Sequence, residues 1–232
     1  MCSTGQLNMN SSAAGWHGES TMGLYVQYGC GFCAPDGWLN FDASPTLLFE
    51  RIPIVGRLYS KNEQRFPANV RYADVTRGLP LPSASAQGVY ASHVLEHLAF
   101  VDFQKAIRET YRVLKPGGTF RLVVPDLETL ARRYVDAVAA GGADAAPRFM
   151  RETRLGVERR PRSLWHFLQD CLGGSRHLWM WDYPSVAEVL AANGFVHIRR
   201  ACFGDSKDPA FRLVEDPGRF VDACAVEARK PG

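Results

Sequence analysis

Three times in the first third of the chain a short apolar run stops at a glycine or a carboxylate. Gly23–Tyr28 ends in Gly29-Cys30-Gly31, Trp38–Phe41 ends at Asp42, and Val70–Ala73 leads to Asp74. A fourth run, Gly88–Ala91, enters Ser92-His93-Val94-Leu95-Glu96-His97. Helical periodicity alternates with these strands. Asp102–Leu114 puts Phe103, Ala106, Ile107, Thr110, Tyr111 and Leu114 on one face, with Asp102 placed to cap the start. Pro116-Gly117-Gly118 ends that helix, Thr119–Val124 is β-rich, and Leu127–Ala139 is helical again. Pro45–Tyr59 has helical spacing that Pro53 must break or kink. Short strands alternating with helices require an α/β chain: a mostly parallel sheet with helices on both faces. No internal repeat is visible, which excludes a solenoid or propeller. With 46% hydrophobic residues, the chain can build a core, so wholesale disorder is excluded.

The second half reads less evenly. Leu79-Pro80-Leu81-Pro82 is extended, because the residue before a proline avoids the helical region. Residues 141–183 form a basic and aromatic insertion with Arg148, Arg151, Arg154, Arg159, Arg160, Arg162, Trp165, Trp179 and Trp181. Ser185 and Glu188 read as a capping box, and Asn193-Gly194 as a helix stop. Phe195–Phe203 and Ala223–Ala228 read as terminal strands around a loop holding Pro209 and Pro217. Residues 1–22 are expected to be a flexible leader and residues 23–232 one domain. No stretch of about 18 uncharged apolar residues occurs, so no spanning helix is expected. Met1–Gly15 lacks the basic start and apolar block of a signal peptide, so a cytoplasmic location is expected. A net charge of +3 is too mild to point to nucleic acid.

The glycine loop lets backbone approach a ligand closely, because neither Gly29 nor Gly31 carries a Cβ. Read on to Ala34, it matches the dinucleotide spacing G-x-G-x-x-A, but Pro35 and Gly37 spoil the helix that would hold a pyrophosphate. Asp42 also comes too soon for that fingerprint. A ligand with a ribose and no phosphate fits better: Asp42 would accept from ribose hydroxyls and Asp74 from an adenine amine. Cys30 and Cys33 form a C-x-x-C without the second pair a zinc ribbon needs, and read as reduced thiols beside a turn.

These residues resemble a known family. Gly29-Cys30-Gly31, Gly37-Trp38-Leu39-Asn40-Phe41-Asp42, Asp74, Tyr90 to Leu98 and Arg112 to Gly118 are similar to class I S-adenosylmethionine-dependent methyltransferases. The likeness is greatest to a bacterial subgroup whose tail carries an analogue of His177-Leu178-Trp179-Met180-Trp181-Asp182. It implies a Rossmann-like fold with seven strands in the order 3-2-1-4-5-7-6, strand 7 antiparallel. It also implies S-adenosyl-L-methionine as cofactor, bound by Tyr28, Gly29, Cys30, Gly31, Asp42, Ala43, Asp74, Val75, Ser92 and His93. Two departures stand out. The link from Gly31 to Trp38 is too short for a crossover helix and must be an extended loop, and Gln87 replaces the usual aspartate before strand 4.

His93-Val94-Leu95-Glu96-His97 is also H-x-x-E-H, a zinc-peptidase signature on a helix, but the surrounding motifs explain it more economically. Glu96 and His97, with His93, would hold a divalent ion only if His166 or His177 folded over them; no resident metal is expected. A hydroxyl is a weak nucleophile until its proton leaves, and His93 or His97 would serve as the base. The Arg- and Trp-rich segment reads either as a lid over an anionic or sugar-bearing acceptor or as a solvated face balanced by Glu152 and Glu158. The expected activity is O-methylation of a small molecule or glycan intermediate. A homodimer is compatible with the sequence; nucleic-acid and membrane partners are not expected. The rivals are a cofactor-binding scaffold or sensor that transfers no methyl group, and the metallopeptidase.

Overall fold

The computed structural model describes residues 23–52, 64–158 and 176–232. The leader, the stretch from Pro53 to Tyr59, and Arg159, Arg160, Arg162, Trp165 and His166 of the insertion lie outside the described residues. The strands are β1 (Leu24–Tyr28), β2 (Trp38–Asp42), β3 (Val70–Tyr72), β4 (Ala86–Ser92), β5 (Leu114–Pro125), β6 (Val196–Arg200) and β7 (Ala223–Arg229). They form one sheet in the order β3-β2-β1-β4-β5-β7-β6. β1 to β5 pair in parallel, and β7 runs antiparallel to both neighbours. This is the seven-stranded topology expected from the sequence.

The helices are α1 (Pro45–Glu50), α2 (Phe100–Val113), α3 (Leu127–Ala139), α4 (Ala145–Glu152) and α5 (Tyr183–Ala192). α2 buries Phe103, Ala106, Ile107, Thr110 and Val113, and α5 buries Val186 and Leu190. Both pack with Val26, Val89, Leu122 and Val226 in the main core. Tyr28 spans sheet to helix, its hydroxyl 3.0 Å from the Thr110 hydroxyl. On a second core cluster Phe211, from a 3-10 turn at Pro209–Leu213, meets Tyr25, Trp38 and Tyr90 edge-on. Gly88 is required there, since a Cβ would come within 2.8 Å of the Tyr25 ring and 3.0 Å of Phe211.

β1 and β2 are joined without a helix, as the short link demanded. Gln27 holds that loop, donating 2.7 Å to the Cys33 carbonyl and 2.6 Å to the Asn40 side chain. Several boundaries correct the sequence reading. α2 begins at Phe100 with Ala99 at its cap, and Asp102 sits inside the first turn, paired at 2.8 Å with Lys105. Pro116-Gly117-Gly118 lies within β5, where the pairing jumps from Ala86–Leu114 to Gly88–Thr119; the helix ends earlier, at Val113. The capping box of α5 is Asp182 with Ser185, one turn before the Ser185–Glu188 pair. No helix among the described residues is long and apolar enough to cross a membrane.

The connection from β6 to β7 carries both Phe211 and a 3-10 turn at Pro217–Phe220, and Arg121 of β5 anchors it. Its guanidinium donates to Glu215, Asp205 and Glu227 and to the Cys202 carbonyl, with its side chain 2% exposed. The Glu215 side chain is completely buried, so losing its partner would strand a charge. Arg121→Leu is expected to cost about 3–5 kcal/mol and to lower the thermal midpoint on the order of 10 °C. Differential scanning calorimetry checks this, and an unchanged midpoint would refute the anchoring role.

Candidate active site

The carboxyl ends of β1, β2, β3 and β4 meet around one cleft of about 400 Å³. Its walls include Tyr28, Gly29, Gly31, Asp42, Asp74 and His93, so one opening gathers residues from four strand ends. Ala43, Val75, Val94, His97 and Leu98 line it as well. Parallel strands dictate this, because successive loops emerge at the same edge.

The glycine loop has a steric logic. Gly29 (φ +65°) and Gly31 (φ +54°) occupy the left-handed region. At Gly29 a Cβ would lie 2.5 Å from the Val94 side chain, whereas one at Gly31 would meet nothing within 4 Å. The Gly31 amide donates 2.9 Å to one oxygen of Asp42, and the Ser44 amide donates 2.7 Å to the other. The Cys30 amide bonds the Phe41 carbonyl at 3.1 Å. Asp42 is thus fixed at the cleft floor, 8% exposed, with a lone pair on each oxygen left for a ligand. Asp74 is more committed: its Oδ1 accepts from the Thr76 amide and hydroxyl, and Arg77 lies 3.4 Å from Oδ2.

Two expected cofactor residues do not line the cleft. The Cys30 side chain turns into a small cluster with Leu47 and Val70, and burial pushes its thiol up to about 12. Ser92 is buried at the end of β4.

After β4 the chain turns sharply at His93 (φ +52°), held by its amide donating 2.8 Å to the Val123 carbonyl. A single 3-10 turn, Leu95–His97, follows. His93 and His97 therefore do not share a helix face, which removes the geometry the peptidase signature needs. The segment beginning at Arg176 is docked on this turn. Leu178 and Trp179 amides donate to the Glu96 carbonyl at 2.8 and 3.2 Å, and His97 Nδ1 donates 2.7 Å to the Arg176 carbonyl. Trp181 stacks on Phe103 at 3.9 Å between ring centroids and secures the far end.

This brings His177 against the turn, its ring 5.1 Å from that of His97. Sequence reasoning named His177 only as a conditional partner, and missed Arg219 altogether. Arg219, on the Pro217–Phe220 turn, lines the cleft, and its carbonyl accepts from His93 Nε2 at 2.8 Å. A loop arginine more than a hundred residues away carries no local signal. Of the basic insertion, Arg151 pairs with Glu158 at 2.7 Å and Glu152 lies 3.4 Å from Arg133, matching the solvated-face reading for these residues.

Burial dominates the electrostatics. It pushes Glu96 up to about 7, against the pull of Arg219 and Arg154. It lowers His93 and His97 from their ordinary value, and takes His177 down to about 4, helped by the charges of His97 and Arg154. In each case burial favours the neutral ring over the charged one.

Residues 27–122 match the family model described as a methyltransferase domain. Among solved structures the chain is similar to an S-adenosylmethionine-dependent methyltransferase from Archaeoglobus fulgidus, with 16% identity and a TM-score of 0.48 over 90% of this chain and 87% of that one. One from Thermotoga maritima has 18% identity and a TM-score of 0.47 over 91% and 84%. A third match, from a Haloferax volcanii complex between the Trm112 methyltransferase activator and a methyltransferase, has 16% identity and a TM-score of 0.46 over 90% and 83%.

The two glycines make a paired test. Gly29→Ala adds left-handed strain and a clash with Val94, whereas Gly31→Ala adds strain alone, about 1–2 kcal/mol. Chemical denaturation is expected to show the Gly29 variant as the less stable. Val94→Ala should restore part of its loss and none of the Gly31 variant's; equal effects would contradict the steric account.

Proposed function

We propose that the chain is a class I S-adenosylmethionine-dependent methyltransferase and that it methylates a hydroxyl of a small molecule or glycan intermediate. The observation that carries this reading is that Asp42, His93 and His97 line one and the same cleft. The residues suit the cofactor. Asp42 offers a fixed carboxylate to ribose hydroxyls, and Ala73, Val75 and Leu98 offer apolar surface to a flat base. Gly29 and Gly31 leave backbone open to the methionine portion, Asp74 is assigned to the edge of the adenine, and Tyr28 and Ala43 complete the wall.

Bound S-adenosylmethionine supplies a methyl group activated by its positive sulfur, which leaves alignment of the acceptor and removal of its proton to the protein. His93 and His97 are assigned that proton. Each neutral ring commits one nitrogen as N–H to a backbone carbonyl, of Arg219 and Arg176 respectively, so the other nitrogen, on the side of Glu96, keeps its lone pair. Burial disfavours the charged rings and keeps that lone pair available. An amine acceptor would need no such base, which favours oxygen over nitrogen.

Calorimetry with S-adenosylhomocysteine tests the ribose assignment: Asp42→Ala should weaken binding about 10- to 100-fold, the worth of one or two hydrogen bonds to a charged group. His93→Gln and His97→Gln are expected to leave that affinity within about twofold, while at least one lowers kcat about 10²–10⁴-fold. The assay is conversion of S-adenosylmethionine to S-adenosylhomocysteine against a panel of phenolic and sugar hydroxyl acceptors. Full activity in both variants would remove the base. Binding without turnover on any acceptor would favour a non-methylating sensor.

A further inference from the structure

Glu96 is 1% exposed, and among the described residues no side chain comes within hydrogen-bond distance of its carboxylate oxygens. Three imidazoles surround one of those oxygens. His93 Nδ1 lies 3.5 Å from Glu96 Oε1, and the Nε2 atoms of His97 and His177 each lie 4.0 Å from it. Tautomers sharpen the picture. His97 gives its Nδ1 proton to the Arg176 carbonyl, so its Nε2 is a lone pair facing the carboxylate. His93 gives its Nε2 proton to the Arg219 carbonyl, so its Nδ1 is another. His177 is 7% exposed and presents Nε2 to the same oxygen.

The lone pairs of His93 and His97 thus face the Glu96 carboxylate in a buried space, an arrangement that a bound cation would relieve. A single proton does not suffice: separations of 3.5–4.0 Å exceed a good hydrogen bond, and one proton serves one pair. A cation about 2.0–2.2 Å from each nitrogen and oxygen spans gaps of this width.

The geometry points to a divalent transition-metal site formed by Glu96, His97 and His177, at the edge of the cleft. The candidate ligand atoms of the three lie within 4.8 Å of one another, and small side-chain movements bring them to the roughly 3.4 Å that tetrahedral ligands keep. Two imidazoles and a carboxylate select zinc or a neighbouring transition ion over magnesium or calcium, which prefer oxygen. The positive charges of Arg154 and Arg219 also face the cluster and oppose a weakly held ion. Three protein ligands leave a coordination position for water or an acceptor oxygen, and His97 lines the cleft where an acceptor would enter. The site itself stands without the methyl-transfer reading. Its role rests on that reading: with His97 on the ion, His93 alone remains to receive the acceptor's proton.

The test uses the full chain without a polyhistidine tag, stripped with chelator and titrated with Co²⁺ and then Zn²⁺. One equivalent of Co²⁺ is expected, with visible d–d bands and no thiolate charge-transfer band. Glu96→Gln and His177→Gln should each weaken uptake by at least about tenfold. Thermal melts of the metal-free variants establish that they are folded, and if one is not, the other carries the test. The site is overturned by absence of saturable uptake, by uptake unchanged in the folded variants, or by a charge-transfer band assigning the ion to Cys30 and Cys33. S-adenosylhomocysteine binding to the metal-free chain is measured alongside: its loss would sink the cofactor reading and leave the metal result standing.

Discussion

The carboxylate of Asp42 is held by two backbone amides, and the cleft depends on that grip. Parallel strands ordinarily need a dozen or more residues between them, usually with a helix to cross over the sheet. Here the path from Tyr28 to Trp38 has no room for one. The Gly31 and Ser44 amides, one from each side of β2's end, converge on Asp42 and fix the loop without a helix. Gln27 and Asn40 complete the tie from within the strands. The same carboxylate therefore ties the loop and lines the cleft. The loop is held by hydrogen bonds to a charged group, which are stronger than neutral ones and permit no rotation of the acid.

Strand positions in the first half were legible because their signals are local, whereas the sheet order was expected from the family resemblance and not from any spacing. Gly29, Asp42 and Asp74 end their strands for reasons that a few neighbouring residues decide. Cap positions were less legible, and the cause is tertiary. Asp102 is a better capping residue than Ala99, yet α2 starts earlier because Phe100 packs on Trp179 and Trp181, nearly eighty residues away. The same docking sets α5, whose box closes at Asp182, immediately after the buried Trp181. Pro116-Gly117-Gly118 carried a helix-stop signal that was correct in kind. Its place inside β5 follows from pairing with β4 and β7, which no window of sequence contains.

The site divides along the same line. That the glycines and acids at the ends of the first three strands share one cleft could be read from their spacing. Arg219 could not: it reaches the cleft because Arg121 and Phe211 clamp the connection between β6 and β7 on the sheet. His177 stands between these cases. Its motif was visible, but the contact that matters is the Glu96 carbonyl accepting from Leu178 and Trp179, a backbone interaction blind to side-chain identity.

That backbone contact also explains how so unfavourable a group is retained. A buried carboxyl among imidazole lone pairs would ordinarily drive the turn open to water. The Leu178 and Trp179 amides and the Arg176 carbonyl close the turn, and Trp181 stacked on Phe103 holds the closure from a distance. Packing remote from the cleft thus keeps Glu96 dry, and dryness raises its proton affinity and lowers that of the histidines around it. Whatever cation compensates the carboxyl must enter a pocket already shaped by core contacts. Its coordination is therefore a consequence of the fold and not of a flexible surface loop, and any substrate atom that completes it is positioned by the sheet itself.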